Sequence, residues 1–330
     1  MQSSQNKMIF QLVKTMENNQ QKTEGISKTL LMVNILLVAL VIFFVFLIYT
    51  AIHQPAKKDV FLEPVAKSNA FSDVILIGKS AYVFDVAENK VIFKKNEFTQ
   101  LPLASLTKLM MALTAVELIP KDSHITIKKE FLQEEGDTGL LADESWRLKD
   151  LMDFSLLVSS NDGARSIASV VGAFDLKSDD YDLGRKDFVT KMNVKAQDLS
   201  LLQTYFVNES GLDLGNVSGG YGSAIDVAKL MQYILINHPE ILEATKYPSL
   251  TIDSLNKIHL AKNTNTDIGN IPGLIASKTG YTDLAKGNLV VAFDASIGQP
   301  IIVVVLGSTL EGRFADISAL VKASLNYIRE

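Results

Sequence analysis

Apolar and polar positions divide the chain into stretches of different character. Residues 1–29 are polar, rich in Gln, Asn, Lys and Ser, and read as a solvated tail, with a partly helical pattern around residues 8–16. Residues 30–52 form an apolar run of 23 without a charge. As a helix this run spans ~34 Å, enough for the hydrocarbon core of a bilayer. The competing reading is a cleaved signal peptide. The run is longer than a signal h-region, however, and His53-Gln54-Pro55 follows it in place of a small-x-small cleavage site. One uncleaved transmembrane helix is therefore expected. Four lysines precede it and three follow closely, so charge does little to orient it. Residues 53–72 hold two prolines, several charges and no periodicity, as a linker does.

The rest, residues 73–330, alternates between short strand patterns and helical ones. Residues 80–86 and 91–95 predict a hairpin joined through Glu88-Asn89. Leu106, Leu109, Leu113 and Val116 recur at helical spacing and predict a helix from Ser105 to about residue 119, docked by an apolar stripe. A short strand is expected at 125–127, an acidic loop at 130–143 and an amphipathic helix at 146–158. Residues 158–163 form a polar break, followed by helices at 163–171 and 185–196 and a loop at 205–213. Residues 223–236 form a helix with Ser223 as its N-cap and Asp226 three positions on. Strands at 274–278, 288–293 and 301–307 and a closing helix at 313–328 complete the chain. Strands at both ends with helices between them predict an α/β fold. Its sheet is built from the two ends of the domain, and a helical insert covers roughly residues 106–215.

Composition changes this picture little. The chain has 330 residues, 47% hydrophobic, which suits one large globular unit plus a membrane segment. A net charge of −5 offers no basic excess for nucleic acid. The absence of cysteine excludes disulfides and thiolate chemistry. The four histidines, His53, His124, His238 and His259, have no triad or zinc spacing and read as surface residues.

Chemistry concentrates at the ends of elements. Ser105 and Lys108 lie three apart at the start of a helix, on one face. A lysine amine against a serine hydroxyl can take its proton when burial or a nearby cation lowers the amine's pKa. Ser-x-x-Lys also occurs at Ser4 and Ser254, so the pair means little alone. Ser159-Ser160-Asn161 sits in the break between helices, and Lys278-Thr279-Gly280, which occurs once, lies on a strand. The ordered set is far more specific than any member. In it Ser105 attacks a carbonyl, Lys108 accepts the proton and Ser159 relays it between Lys108 and the leaving amine. Asn161 offers an amide to the lysine or to substrate. Lys278 holds Lys108 neutral and attracts a substrate carboxylate, which Thr279 hydrogen-bonds, while Gly280 lets the substrate backbone approach the strand edge.

This set resembles that of the active-site serine enzymes that react with penicillin. Leu101-Pro102-Leu103-Ala104-Ser105-Leu106-Thr107-Lys108 is similar to the nucleophile segment of low-molecular-mass penicillin-binding proteins, the serine-type D-alanyl-D-alanine carboxypeptidases. Tyr205-Phe206-Val207-Asn208-Glu209-Ser210-Gly211-Leu212 resembles a further segment of that family, and Lys278-Thr279-Gly280-Tyr281-Thr282-Asp283 its third motif. The resemblance runs from about residue 80 to the C-terminus. It implies a β-lactamase/transpeptidase-like fold, a mainly antiparallel sheet flanked by helices with an inserted helical subdomain, preceded here by one transmembrane helix. It implies removal of the terminal D-Ala from peptidoglycan stem peptides ending in D-Ala-D-Ala through an acyl-enzyme at Ser105, with β-lactams as inhibitors and no metal or cofactor. It adds the N–H of Tyr281 to that of Ser105 as oxyanion donors. It also places the protein in the bacterial cell membrane as a single-pass protein, its domain outside the cytoplasm. Two positions depart from the family pattern: Glu209 replaces a usual proline, and Thr264, between Asn263 and Asn265, replaces a basic residue. The rivals are a D,D-endopeptidase, a catalytically weak wall-peptide or β-lactam sensor, and a β-lactamase, for which no matching Glu-x-x-x-Asn segment occurs between Asn161 and Lys278.

Overall fold

The computed structural model describes residues 36, 37, 40, 42–44, 69–136 and 138–329. The predicted tail, and most of the predicted anchor and linker, lie outside the described residues. Among the described residues no helix is long and apolar enough to cross a membrane.

In chain order, β1 (Ser80–Asp85) and β2 (Lys90–Lys95) make the expected hairpin, with Asn89 at φ +50° in its turn. β3 (Leu101–Pro102) leads through a 3-10 turn, Ala104–Leu106, into α1 (Thr107–Leu118). β4 (His124–Thr126) and β5 (Ser145–Arg147) pair across the acidic loop. Then come α2 (Leu148–Leu157), α3 (Asn161–Leu176) and α4 (Tyr181–Asp198). β6 (Tyr205–Phe206) and β7 (Gly220–Gly222) join β3 in the order β3-β7-β6. α5 (Ala224–Asn237), a hairpin of β8 (Ser249–Asp253) and β9 (Ile258–Lys262), and β10 (Leu274–Thr282), β11 (Lys286–Asp294) and β12 (Pro300–Ser308) follow, and α6 (Gly312–Arg329) closes the domain.

The main sheet has the order β10-β11-β12-β1-β2, every pair antiparallel, so Ser80 lies beside Leu306. Strand alternation sends Ala81, Val83, Val291 and Val303 to one face, where Ile317, Leu320 and Val321 of α6 cover them. It sends Tyr82, Phe84, Val290, Ile302 and Val304 to the other face, into a larger core shared with the remaining helices. Both faces are covered, which is why β11 and β12 read as continuous apolar runs instead of alternating.

Three expectations are corrected. α1 has no apolar stripe: Thr107 to Ala115 are all buried, because the helix runs through the middle of the domain against α3, α4 and α5. α3 starts two residues early and runs on to Leu176, because Ser160 caps it by accepting the Gly163 N–H at 3.0 Å and its end waits for Lys177 at φ +52°. Trp146 belongs to β5, and α2 begins only at Leu148. The cap at Ser223 is as expected, accepting the Asp226 N–H at 3.3 Å.

Candidate active site

The turn before α1 is held from several sides. Pro102 pairs with Tyr221, and the Leu103 N–H donates to the Gly220 carbonyl at 2.9 Å. Ala104 then takes φ +48°, a left-handed conformation that costs a residue with a Cβ about 1–2 kcal/mol. Close contact from glycines maintains it. A Cβ on Gly211 would stand 1.9 Å from the Ala104 carbonyl oxygen; one on Gly280 would stand 2.8 Å from the Leu103 carbonyl oxygen and 3.2 Å from the Ser105 nitrogen. Gly280 is therefore required by the chain's own nucleophile turn. Within the chain, the backbone of Leu103 and Ser105 makes this close approach.

Lys108 is fully buried, and its Nζ meets three oxygens: Asn161 Oδ1 at 2.7 Å, the Ser210 carbonyl at 2.9 Å and Ser105 Oγ at 3.0 Å. Burial lowers its pKa from 10.5 to about 7, against the opposing pull of the Glu209 and Glu134 carboxylates. Lys278 is buried as well; its Nζ donates to the Thr279 carbonyl at 2.9 Å and to Ser159 Oγ at 3.0 Å. Burial pushes its pKa well below the usual lysine range, and repulsion from Lys108 and Arg313 adds to this. Desolvation is thus the first cause at Lys108, and the repulsion between the two amines, which is mutual, disfavours their being charged together.

Ser159 sits at φ +63°, the left-handed residue just past the end of α2, which turns its hydroxyl toward Lys278. The helix cap is its neighbour Ser160. Asn161 Oδ1 accepts from the lysine, one of the two partners expected for it, and Asn161 Nδ2 donates to the Glu135 carbonyl at 2.7 Å. Thr279 Oγ1 lies 2.6 Å from Thr264 Oγ1, so the departure at Thr264 faces the third motif. Tyr281 is 43% exposed on β10, the edge strand. The Ser277 N–H on that strand turns outward to Thr245 Oγ1 at 3.2 Å, and the two-residue period turns the N–H groups of Thr279 and Tyr281 to the same edge.

Several contributors escaped the sequence reading. The Ser210 carbonyl holds the lysine, and its only signal was its place in the Asn208 to Leu212 segment. Arg313 opens α6, where a cation is disfavoured by the helix dipole, yet it is buried and donates from Nη1 to the Gly280 carbonyl at 2.9 Å. His259 is not a surface residue: it is buried 2.7 Å from Glu144, clustered with the rings of Trp146 and Phe154.

A hydroxyl bonded to an amine whose charge burial disfavours, beside outward-turned backbone N–H groups, is the equipment of a serine acyl-transfer enzyme. Family comparison makes the class specific: residues 67–309 match the D-alanyl-D-alanine carboxypeptidase family, peptidase family S11, and the chain belongs to it. It is 29% identical over 231 residues to the D-alanyl-D-alanine carboxypeptidase DacB2 of Mycobacterium tuberculosis, covering 70% of this chain and 75% of that one. It is also 29% identical over 255 residues to the D-alanyl-D-alanine endopeptidase of Escherichia coli, covering 73% and 75%. Penicillin-binding protein D2 of Listeria monocytogenes, solved with ampicillin bound, superposes with a TM-score of 0.65 at 28% identity, covering 76% of this chain and 98% of that one. The fold is accordingly that of the penicillin-binding transpeptidases.

Proposed function

We propose that the protein trims peptidoglycan stem peptides as a serine D-Ala-D-Ala carboxypeptidase through an acyl-enzyme on Ser105, and that β-lactams inhibit it by acylating the same hydroxyl. The observation that carries this reading is the 3.0 Å contact between Ser105 Oγ and a fully buried Lys108 amine. Neutral Lys108 takes the Ser105 proton as Oγ attacks the carbonyl of the penultimate D-Ala. The developing oxyanion meets the N–H groups of Ser105 and Tyr281. Ser159, bonded to Lys278, relays that proton from Lys108 to the departing amine of the terminal D-Ala, so Lys108 returns to its neutral form. Asn161 steadies Lys108, Gly280 keeps the Ser105 turn against β10, and Thr279 with Thr264 presents hydroxyls to the leaving group's carboxylate. An arriving carboxylate favours the charged form of Lys278, and that charge pushes Lys108 further toward the neutral base. Water then hydrolyses the ester.

A fluorescent penicillin is expected to label the full chain and Ser105→Ala to abolish labelling; persistent labelling of that variant rejects Ser105 as nucleophile. D-Ala release from a pentapeptide is the decisive assay, since labelling without release supports the sensor reading. One observation favours a D,D-endopeptidase as second reading: the Thr264 and Thr279 hydroxyls, 2.6 Å apart, suit an amide carbonyl as well as a carboxylate. Faster cleavage of a cross-linked dimer than of the pentapeptide decides for it. We place the protein in the bacterial membrane, held by residues 30–52 with the domain outside the cytoplasm, where its substrate is; sedimentation with membranes until detergent is added checks this.

A further inference from the structure

Two of the three oxygens around the Lys108 amine are not the nucleophile, and they come from two separate segments. The Ser210 carbonyl belongs to the stretch between β6 and β7. Asn161 Oδ1 opens α3, and its amide group is tied through Nδ2 to the Glu135 carbonyl in the acidic loop. Each segment carries a carboxylate next to the contact. Glu209, adjacent to Ser210, has no exposed surface. Glu134, adjacent to Glu135, also donates its N–H to Asp162 Oδ1 at 2.9 Å.

Arg185 of α4 reaches both carboxylates. Its Nε lies 3.1 and 3.0 Å from the two Glu209 oxygens, its Nη2 lies 2.9 Å from Glu209 Oε1, and the same Nη2 lies 3.4 Å from Glu134 Oε1. Arg165 of α3 completes the set at 2.9 Å from Glu134 Oε1. Two guanidinium groups thus balance two carboxylates, and Arg185 alone among these four touches both sides. A fork-to-carboxylate contact fixes orientation as well as charge. We propose that Arg185 is a positioning residue for the acylation site: it clamps the Glu209 and Glu134 segments together and so sets where, and in what field, the Lys108 amine sits. The proposal rests on the reading of Lys108 as the base for Ser105.

The carboxylates that act on the amine are Glu209 from the β6–β7 stretch and Glu134 from the acidic loop, and the cation it repels is Lys278 of β10, which Arg313 also repels. Arg185→Gln removes the cation and leaves two carboxylates facing the amine, which holds its proton more tightly. Glu209→Gln removes one carboxylate, and the amine holds it less tightly. The test is the pH profile of penicillin acylation by the full chain in detergent, whose acid limb reports the loss of the Lys108 proton. Arg185→Gln is expected to move that limb up by roughly one pH unit, Glu209→Gln to move it down, and Arg185→Lys to return it toward wild type at reduced rate. Side-chain 15N NMR of lysine in the same variants reads the amine directly, and so decides the proposal even in a chain that takes no penicillin, an outcome that sinks only the function. Should Arg185→Gln fail to fold, Glu209→Gln and Arg185→Lys carry the comparison. Losses of rate with the limb and the amine titration unmoved, or both glutamine variants shifting the same way, overturn the proposal in favour of a purely structural ion pair.

Discussion

Replacing Gly280 by alanine tests whether the distance between β10 and the nucleophile turn is part of the chemistry. The new Cβ would stand 2.8 Å from the Leu103 carbonyl oxygen and 3.2 Å from the Ser105 nitrogen, both backbone atoms that cannot rotate away. Strand or turn must retreat. Forcing a methyl into such a contact costs ~1–3 kcal/mol of stability. The retreat also separates the Ser105 N–H from the outward edge that carries the Tyr281 N–H, and loss of one oxyanion donor raises a barrier by about 3 kcal/mol, on the order of a hundredfold in rate. The assay is the second-order rate of acylation by a fluorescent penicillin, corrected for folded fraction by a thermal melt. Gly287→Ala is the control: its Cβ would stand 2.0 Å from the Thr309 carbonyl oxygen, a still closer clash that does not involve Ser105. Gly287→Ala is expected to lose stability and keep its acylation rate once folded, and Gly280→Ala to lose both. Acylation by folded Gly280→Ala within about threefold of wild type would show that the site tolerates the retreat and would refute the reasoning.

Two further outcomes follow from burial and packing. Lys108 has a pKa of about 7 in the folded protein against 10.5 ordinarily. Between those values the unfolded chain binds a proton that the folded one does not, so the destabilisation is full below about pH 7 and gone above 10.5. Lys108→Met is therefore expected to abolish acylation yet raise the melting temperature at pH 7, by less at pH 10. Desolvation alone sets a ceiling on the order of 4 kcal/mol, which the lost hydrogen bonds reduce; a lower melting temperature than wild type at pH 7 counts against it. Gly172→Ala would put a Cβ 1.9 Å from the Gly184 carbonyl oxygen and must part α3 from α4. A loss of ~2–3 kcal/mol is expected in denaturant unfolding, and an unchanged midpoint refutes the close packing.

Local signals carried most of the fold. The β1–β2 hairpin, the strand character of β11 and β12 and the cap at Ser223 are written in residues adjacent in sequence, as are the Ser105 to Lys108 spacing and the Lys278 segment. What depended on distant neighbours was not legible. α1 is apolar enough to suggest one buried stripe, and only the surrounding helices bury it on all sides. Lys108 carries no mark of a lowered pKa, since desolvation is a property of the assembled core. Ser159 and Lys278 are 119 positions apart, and their bond could not be foreseen from either. His259 read as a surface residue, and Arg185 drew no notice, because their carboxylate partners, Glu144 and Glu209, lie on other segments.

The pairing of β1 with β12 also governs how the molecule is made. A ribosome working at ~5–20 residues per second releases the first strand long before the strand that completes its ladder. Until then one edge of the early hairpin has no neighbour, while the helices between can fold on their own short-range contacts. Any chain stopped before β10 carries the serine and its lysine but lacks the second lysine, the glycine that seats the turn and the strands that shut the sheet. Truncated products are therefore expected to be inert toward penicillin and to present bare strand edges to proteases, so acylation competence waits for β10, β11 and β12.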